Sequence, residues 1–495
     1  MHFCGTIKRM MPTERIQPTM KKRIVTLLAV LLLAALLIAC GKENADADPP
    51  TLYSPEVVEP IEEALQDDYT ADEDTLAYLE LLQQTFFELS ASPAEDFKIA
   101  EVDGGVAVTD YLGDAKAVRI PDTLNGKAVV AITDAAFADC KQLETLYIPD
   151  GVQTYGIGVL KGCTALQKLR APMPSKEETA FLGFLFGGDT PLDNAMDVPA
   201  SLVYFEMGGS NQTLAPYAFF DCNDLQFIAL PKTLTEVEKY AFYNCSRLIH
   251  LDVSSLSSLG EHALDSCSSL TRLDFSQSLT SLGFAALQNC DGLRTLTLPF
   301  VGDGGEHSDL GYVFGASVSD FAKGYYPPYL VQIDLLPTCK ELGNYAFYEC
   351  LSLTRITIPE GLSSVGVRAF AGCERLEELS LPASLKSVRE NAFFGCLSLK
   401  SVSFADGSVL ESIGINAFYQ CGQLKEICLP ASLKALPASC FADCFSLERV
   451  DLGGVSSVGK NAFHRCTRLA SATVAEAVEI EDGNEPLARV LAPTV

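Results

Sequence analysis

A cysteine recurs twelve times along the chain at the end of one short phrase, usually Ala-Phe-x-x-Cys. Nine of the eleven steps between these cysteines are 22, 23 or 25 residues, and the other two are 59 and 60. A fixed period of this size is typical of a solenoid, so the function is expected on a long repeated surface rather than in a catalytic pocket. The column cysteines are Cys140, Cys163, Cys222, Cys245, Cys267, Cys290, Cys350, Cys373, Cys396, Cys421, Cys444 and Cys466.

The unit between Cys373 and Cys396 shows the pattern most clearly. Leu379-Ser380-Leu381 alternates apolar and polar residues as a half-buried strand does, and Pro382 ends the strand because it has no N–H to donate. One such unit cannot bury its apolar face alone, so neighbouring coils must stack and share a core. The apolar positions of the unit are Leu376, Leu379, Leu381, Leu385, Val388, Ala392 and Phe393.

The cysteines allow three interpretations. Stacked strands hold equivalent Cβ atoms about 4.8 Å apart, whereas a disulfide needs about 3.8 Å and converging Cβ vectors. Metal ligation favours paired Cys or Cys/His spacings, and the sequence has no C-x-x-C. We therefore expect a buried column of thiols that act as small apolar groups and weak S–H donors. Cys339, Cys428 and Cys440 lie off the column and are expected at core or strand positions.

The repeat C-x-x-L-x-x-L-x-L-P-x-x-L-x-x-V-x-x-x-A-F-x-x-C resembles the BspA-like, or Treponema-type, bacterial leucine-rich repeats over roughly residues 97–475. The segment 106–113, followed by Ile120-Pro121, Asn125-Gly126 and Val129, resembles the opening coil of that family. The fold class expected is a β-rich leucine-rich-repeat solenoid of about 15 coils over residues 96–475, preceded by an N-terminal helical segment. The resemblance also implies adhesion to host matrix proteins or to other bacteria.

The two long steps contain related inserts, near residues 172–212 and 300–340. Leu182-Gly-Phe-Leu-Phe-Gly-Gly188 matches Leu310-Gly-Tyr-Val-Phe-Gly-Ala316 at a separation of 128 residues, which is also the separation of Cys222 and Cys350. A block of several coils has therefore been duplicated together with its insert. We expect each insert to form one atypical coil plus a loop.

The first 39 residues are expected to be a lipoprotein signal peptide. Lys21-Lys22-Arg23 precedes an apolar run of 16 residues, which is short for a membrane-spanning helix of about 20. The run ends in a segment, residues 37–41, that resembles a bacterial lipobox, and this resemblance implies cleavage before Cys40 and lipid attachment to it. An ordinary signal peptide or an anchor helix is the alternative. Translation from either Met1 or Met20 is compatible with the sequence.

The charge of the chain limits its partners. The formal net charge is −28, and removal of residues 1–39 leaves 30 basic and 63 acidic side chains, a charge of −33. Such a chain gains nothing from phosphate neutralisation, which argues against nucleic acid or anionic lipid headgroups as partners. Calcium, a cationic partner or a simply solvated acidic surface remain open.

Residues 40–95 differ from the repeats and are expected to form an acidic tether followed by a helical cap. Helices are predicted over 55–66 and 74–89, where Leu76, Leu79, Leu82 and Phe86 or Phe87 recur at helical spacing. The second helix is expected to cover the open edge of the first coil. The tail 476–495 is acidic and is expected either to fray or to cap the other end.

No motif for catalysis is present. The five histidines are scattered, and the sequence has neither H-E-x-x-H nor G-x-S-x-G. The acidic, glycine-rich segment 302–309 lacks the spacing of an EF-hand and is expected to be a turn-rich loop. The sequence therefore predicts a protein that is not an enzyme, with no catalytic residue, cofactor or bound metal.

Two columns of residues alternate with the apolar strand positions and are expected on the exposed strand face. The first runs Thr145, Lys168, Phe227, His250, Arg272, Thr295, Arg355, Glu378, Ser401, Glu426, Arg449, Ser471; the second includes Tyr147, Arg170, Ala229, Asp252, Asp274, Thr297 and Thr357. Small hydroxyl and carboxyl residues dominate, and the few aromatics lie early. The candidate contacts for a protein partner are Tyr147, Arg170, Phe227, His250 and Arg272.

Three functions are compatible with these features. The first is a lipid-anchored protein of the bacterial cell envelope, exposed at the surface, that binds a host or bacterial surface protein and so supports adhesion. The second is a carbohydrate-binding or nutrient-capture lipoprotein, which the scarcity of aromatic residues on the strand face disfavours. The third is an envelope spacer without a specific ligand. The sequence does not identify the ligand, the membrane leaflet or the oligomeric state.

Overall fold

The computed structural model describes residues 71–174, 179–474 and 478–492, which form a β-solenoid of about 16 turns. The period and strand content expected from the cysteine spacing are confirmed. The signal peptide, Cys40 and the helix predicted over 55–66 lie outside the described residues.

Three α-helices occur in this part of the chain, namely α1 (Ala71–Glu88), α2 (Asn194–Asp197) and α3 (Glu485–Leu491). Five 3₁₀ segments occupy Ala94–Asp96, Leu182–Phe186, Pro191–Asp193, Leu310–Phe314 and Ser319–Gly324. The strands are β1 (Phe97–Val102), β2 (Gly105–Tyr111), β3 (Ala117–Arg119), β4 (Thr123–Leu124), β5 (Lys127–Ile132), β6 (Thr145–Tyr147), β7 (Thr154–Tyr155), β8 (Lys168–Pro172), β9 (Tyr204–Gly208), β10 (Thr213–Leu214), β11 (Phe227–Ala229), β12 (Glu236–Val237), β13 (Ser258–Leu259), β14 (Arg272–Asp274), β15 (Ser281–Leu282), β16 (Thr295–Leu298), β17 (Gln332–Leu335), β18 (Arg355–Thr357), β19 (Ser364–Val365), β20 (Glu378–Leu381), β21 (Ser387–Val388), β22 (Ser401–Phe404), β23 (Ser412–Ile413), β24 (Glu426–Cys428), β25 (Ala435–Leu436), β26 (Arg449–Asp451), β27 (Ser457–Val458), β28 (Ser471–Thr473) and β29 (Glu479–Ile480).

Each coil contributes to two parallel ladders. We call the ladder of longer strands the front ladder; it runs β3-β6-β8-β9-β11, then β14-β16-β17-β18, then β20-β22-β24-β26-β28. A bridge between Phe227 and His250 continues the first of these groups. The second ladder consists of two-residue strands such as β12, β13 and β15. Parallel pairing between consecutive coils follows from the repeat, because every coil passes the same point in the same direction.

The core is a set of apolar columns that run along the solenoid. All seven apolar positions expected from the Cys373–Cys396 unit are at most 2% exposed. The phenylalanines of Ala-Phe-x-x-Cys stack face to face, with ring centroids 5.0 Å apart for Phe347 and Phe370 and 5.1 Å apart for Phe370 and Phe393. One coil therefore buries its ring only because its neighbours supply the flanking rings.

The turn that carries Ala-Phe-x-x-Cys needs left-handed backbone at two points in each coil. In the coil that ends at Cys396, these are Asn391 at φ 55° and Gly395 at φ 72°. Asn and Gly adopt this conformation at low cost, which explains their frequency at these positions. The turns also hydrogen bond from coil to coil, as from the N–H of Phe370 to the carbonyl of Ala392 (2.7 Å).

Each insert supplies one complete coil. In the first, Leu182–Phe186 replaces the Ala-Phe-x-x-Cys turn, and β9 joins the front ladder between β8 and β11. In the second, Leu310–Phe314 and β17 occupy the equivalent places. Tyr204 and Gln332 are therefore two further positions of the front column. The cysteine spacing alone does not reveal them, because the inserts interrupt it.

The two ends of the described solenoid are closed differently. Strand β1 pairs antiparallel with β2, and the rings of Phe97 and Tyr111 cover Phe137, which is stacked on Tyr111 at 5.1 Å. At the other end, α3 buries Leu487 completely, and Arg489 donates to the carbonyl of Leu469 (3.1 Å). The tail from residue 478 thus forms a cap, one of the two outcomes left open by the sequence.

Candidate functional site

The front ladder has the register expected from the sequence. Phe227 pairs with Tyr204, Arg272 with Thr295 and Glu426 with Arg449. Because the pairing is parallel and in register, side chains at one sequence position of successive coils form a row. The candidate site is this front face of the solenoid.

The helix α1 lies across the first strands of the front face. Its residues Leu79, Leu82 and Phe86, spaced for one helical face, form a separate apolar cluster with Tyr204 and Phe227. This position differs from the expected cap over the edge of the first coil. The physical reason is that the β1–β2 hairpin already covers the coil edge, whereas the aromatic residues of β6, β9 and β11 offer α1 an apolar surface to cover.

The orientation of α1 is fixed by contacts at both ends. Near its start, the ring of Tyr78 lies 5.4 Å from Phe227 in β11. Near its end, the ring of Phe86 stacks on that of Tyr204, with the ring centroids 5.8 Å apart. The backbone carbonyl of Phe86 also accepts a hydrogen bond from the guanidinium of Arg119 in β3 (3.2 Å). The helix therefore runs from β11 back towards the first coil.

Phe227 was expected to be exposed, and this expectation is wrong. Its exposed fraction is 5%, because Tyr78 and Leu79 of α1 cover it. The spacing of the repeats places Phe227 correctly on the front face. The sequence gives no sign, however, that a helix about 150 residues earlier in the chain packs on it.

Tyr147 lies between two guanidinium groups. The Cζ atoms of Arg119 and Arg170 are 4.0 Å and 4.4 Å from the centroid of its ring. The ring of Phe86 in α1 contacts the same ring, with the centroids 6.3 Å apart. Cation–π contacts of this kind stabilise the packing by about 0.5–2 kcal/mol each. Tyr147 is thus a half-buried anchor for α1 rather than an open ring.

Arg170 is held by a network of acceptors. Its Nε donates to Glu206 (2.9 Å), and Nη2 forms an ion pair with Asp150 (2.9 Å). Its side chain is only 13% exposed. Burial alone would lower the pKa of Arg170, but Asp150 and the neighbouring Tyr147 and Glu206 outweigh it and raise that pKa. The arginine therefore serves the internal packing of this end of the face.

Glu206 and Tyr204 complete this network, and neither is among the candidates from the sequence. The hydroxyl of Tyr204 donates to Oε2 of Glu206 (3.2 Å). Burial, followed by the charge of Glu206, raises the pKa of Tyr204. Both residues lie in β9, within the first insert, where the repeat pattern is interrupted. The sequence signal for this strand is the alignment of the two inserts with each other.

The remaining two candidates lie at the edge of, or beyond, this cluster. His250 is half-buried and continues the ladder from Phe227. Arg272 in β14 is 52% exposed at its side chain and pairs with Asp274 (2.5 Å) in the same strand. Further along the face, Arg355 and Arg449 are also exposed. The structure therefore separates the five candidates into a group beneath or beside α1 and a more open group.

The column cysteines lie in the core, as expected. Eleven of the twelve are buried, and Cys140 in the first repeat is intermediate. Burial raises the pKa of Cys350 to about 12. Of the other cysteines, Cys339 and Cys440 are buried, while Cys428 is exposed on the front strand β24.

The described residues contain no group of three or more His, Cys, Asp or Glu side chains placed to hold a metal ion. Within the same residues, no helix has the length and apolarity needed to cross a bilayer.

Comparison with known proteins identifies the repeat type. The family described as "BspA type Leucine rich repeat region" matches residues 115–183, 194–302 and 340–470, in six copies, which together exceed half of the chain. No curated protein matches the sequence.

Several solved structures match this chain. A leucine-rich repeat protein from Bacteroides ovatus is 19% identical over 80% of this chain and 99% of its own, with a TM-score of 0.31. A leucine-rich cell surface protein from Faecalibacterium prausnitzii is 19% identical over 82% of this chain and 99% of its own (TM-score 0.24). A leucine-rich repeat protein from T. pallidum is 20% identical over 58% of this chain and 91% of its own (TM-score 0.20).

Proposed function

We propose, from the premise that this chain belongs to the BspA-type leucine-rich repeat family, that it is a non-enzymatic lipoprotein of the cell envelope whose front face binds a protein partner. Leucine-rich repeat solenoids are typically protein-interaction scaffolds rather than enzymes. Adhesion to a host or bacterial surface protein is the form of this function that we propose. Attachment through a lipid on Cys40 would hold the solenoid at the membrane.

The observation that carries the proposal is the in-register front ladder. A rigid row of parallel strands presents polar side chains at fixed intervals along the solenoid, so a partner can contact several coils at once without ordering a loop. Binding energy then comes from a few well-placed side chains, among which arginine is common.

We place the contacts on the part of the face that follows α1. Arg272, Arg355 and Arg449 lie in β14, β18 and β26 and are exposed. Arg449 donates to Glu426 of the preceding coil (2.5 Å), so its guanidinium is oriented but still open to solvent. His250 borders this region. Tyr147, Arg170 and Phe227 instead hold α1, and we assign them no contact with a partner.

The proposal is tested by capture of surface proteins with the purified chain. The triple variant R272A/R355A/R449A should lose most of the partner captured by the unsubstituted protein. The matched control is R389A, an exposed arginine that follows β21 of the second ladder, away from the front face. Equal capture by the triple variant, or equal loss in R389A, would contradict a partner on the front face.

A further inference from the structure

A row of aromatic rings crosses five coils on the turn side of the solenoid, from the coil that follows the first insert to the coil formed by the second. Tyr217 and Tyr240 stack at 5.3 Å with rings 3° apart, and Tyr240 and His262 stack at 5.0 Å and 6°. The row continues through edge contacts to Phe284 and then Tyr312. We call the rings of Tyr217, Tyr240, His262, Phe284, Tyr312 and His307 the aromatic ladder; His307 stacks on Tyr312 at 4.1 Å.

A second, shorter stack widens the ladder. Phe220 and Tyr243 lie 4.8 Å apart and 10° from parallel, and each contacts the neighbouring ring of the ladder in its own coil. All of these rings except His307 are half-buried, and His307 is exposed. The surface is therefore a strip of ring edges and hydroxyl groups rather than a buried cluster.

The solenoid does not need these rings. Tyr217, Tyr240 and His262 occupy the position five residues before the column cysteine, where the backbone is left-handed (φ 61°, 57° and 51°). Other coils place Asn391, Asn416 or Asn461 there at φ 55–59° and keep the same turn without a ring. Asn suits this conformation, whereas a bulky ring is strained in it. Aromatic residues at strained positions in successive coils point to a role beyond packing.

The charge around the ladder is negative. The turn segments that carry it (215–226, 238–249, 260–271, 283–294 and 302–314) contain nine carboxylates and three basic side chains. Two of the three basic groups are engaged: Arg247 pairs with Asp224 (2.8 Å), and Arg294 contacts the ring of Tyr329. Burial, together with Glu261 and Asp265, raises the pKa of Tyr240.

The same electrostatic setting extends to the second stack and to the Tyr312 end of the ladder. Burial, followed by Asp265 and Asp221, raises the pKa of Tyr243. Burial, followed by Asp303 and Glu261, raises the pKa of Tyr312. The hydroxyls of Tyr240, Tyr243 and Tyr312 thus each lie in the field of at least one carboxylate. A cationic group that approaches the ladder meets acceptor oxygens and aromatic rings at the same place.

From this geometry we propose that the aromatic ladder is a docking surface for an arginine-rich segment of a partner protein. The inference rests on the proposed function only in taking the partner to be a protein, and it uses a different surface from the front face. Arginine fits the site because its planar, weakly hydrated group presents several N–H donors at once to the hydroxyl groups and the carboxylates. Lysine, a compact and strongly hydrated charge, fits it less well.

A glycan fits the ladder less well. Sugars stack on the open faces of aromatic rings, but here Tyr217, Tyr240 and His262 cover one another's faces. What remains open is the edge of each ring and the hydroxyl group. The acidic surroundings add nothing to the binding of a neutral sugar, whereas they attract a basic peptide.

The test measures binding of a labelled nona-arginine peptide to the whole protein at 150 mM salt, with nona-lysine as the probe of equal charge. We expect nona-arginine to bind at least tenfold more tightly than nona-lysine. In Y217N/Y240N/H262N, which keeps the formal charge and uses the residue of the other coils, the affinity for nona-arginine should fall at least tenfold. The single variant Y240N should show a smaller loss of affinity for nona-arginine. It takes the place of the triple variant in the test if the triple variant does not fold.

The matched control is Tyr345→Asn. Tyr345 has the same place in its coil and the same left-handed backbone (φ 61°), but it lies beyond the second insert. The Cζ atom of Arg368 is 6.0 Å from the centroid of its ring. Its substitution should leave binding unchanged. Equal affinity of the two peptides, unchanged binding in the triple variant, or an equal loss in Y345N would overturn the proposal. So would a ladder-dependent affinity for a hexasaccharide without one for nona-arginine.

The inference about the aromatic ladder and the proposed function of the front face can each fail without the other. If partner capture depends on the three front-face arginines and is unaffected by the ladder variants, the proposed function stands and this inference fails. If nona-arginine binding depends on the ladder while the front-face variants capture partner normally, the inference stands and the front-face assignment fails.

Discussion

The thiol of Cys373 donates a hydrogen bond, 3.1 Å long, to the backbone carbonyl of Phe347 in the preceding coil. The same contact joins Cys396 to Phe370 (3.3 Å) and Cys466 to Phe441 (3.1 Å). The carbonyl of Phe347 also accepts from the backbone N–H of Cys350 (3.1 Å), so the column cysteine adds a second donor from the next coil and fills the volume of a small apolar side chain. This pairing explains why Cys recurs at a position where Ala would fill the space but leave the carbonyl without this partner.

Burial of the thiols predicts their reactivity. In the folded protein, the eleven buried column cysteines should resist a membrane-impermeant maleimide, because the thiolate form is disfavoured and the reagent has no access. Cys428, which is exposed, should react first among the cysteines of the described coils. Peptide mapping after brief native labelling measures this. Rapid labelling of most of the column would contradict the buried arrangement.

The raised pKa of Cys350 predicts a dependence of stability on pH. Its pKa is about 12 in the folded protein against an ordinary value of 9.0. The neutral thiol thus contributes stability that is complete below pH 9 and is lost as pH rises from about 9 towards 12. The stability difference between the unsubstituted chain and C350A should shrink above pH 9 by up to about 1.4 kcal/mol per pH unit.

Urea unfolding at pH 8 and pH 10 measures that change. The control is L399A, a truncation of a fully buried side chain that does not titrate. Its stability cost should stay the same at both pH values. A constant difference for C350A as well would mean that the thiol does not ionise on unfolding in this range.

Adjacent residues Phe393 and Phe394 provide a test of the core. Phe393 is fully buried and stacks between Phe370 and Phe418, at 5.1 Å from each. Phe393→Ala should destabilise the protein by about 3–5 kcal/mol, because a cavity opens in a column that neighbouring coils share. Phe394 is 36% exposed, and its change to Ala should cost about 1 kcal/mol or less. Similar melting temperatures for both variants would refute the column.

Phe86 and Phe87 provide the corresponding test for α1. Phe86 is 2% exposed and contacts Tyr147 and Tyr204, whereas Phe87 is 88% exposed. Phe86→Asp places a charge in this apolar cluster and should release α1, which amide hydrogen exchange over residues 71–88 would register as lost protection. Phe87→Asp should leave protection unchanged. Equal exchange in both variants would show that the helix does not depend on this contact.

The register of the solenoid could be predicted from sequence because a fixed period alone determines it. Once Cys373 and Cys396 are aligned, every apolar position between them repeats in the next coil. The pairing of Arg272 with Thr295 and of Glu426 with Arg449 follows from this spacing. Where the inserts interrupt the period, the strand-like segment 202–205 can be recognised, but the period does not assign Tyr204 to the front column.

Contacts between non-repeated segments and the repeats could not be predicted in this way. The apolar spacing of Leu79, Leu82 and Phe86 indicates an amphipathic helix but does not say which surface it covers. The aromatic ladder was missed for a different reason. Tyr217, Tyr240 and His262 occupy a turn position at which other coils have residues as different as Ala, Asn, Arg, Ser and Tyr, so a search for regular positions treats it as variable.

Exposure of the repeats on intact cells is the most direct test of the proposed envelope function. Cells that produce the full chain are treated with a protease that cannot enter them, and the repeat region is then detected with an antibody. We expect the repeats to be cleaved, and Cys40→Ser to release the protein from the membrane fraction. Repeats that remain intact in undamaged cells, with cleavage only after lysis, would contradict a surface function.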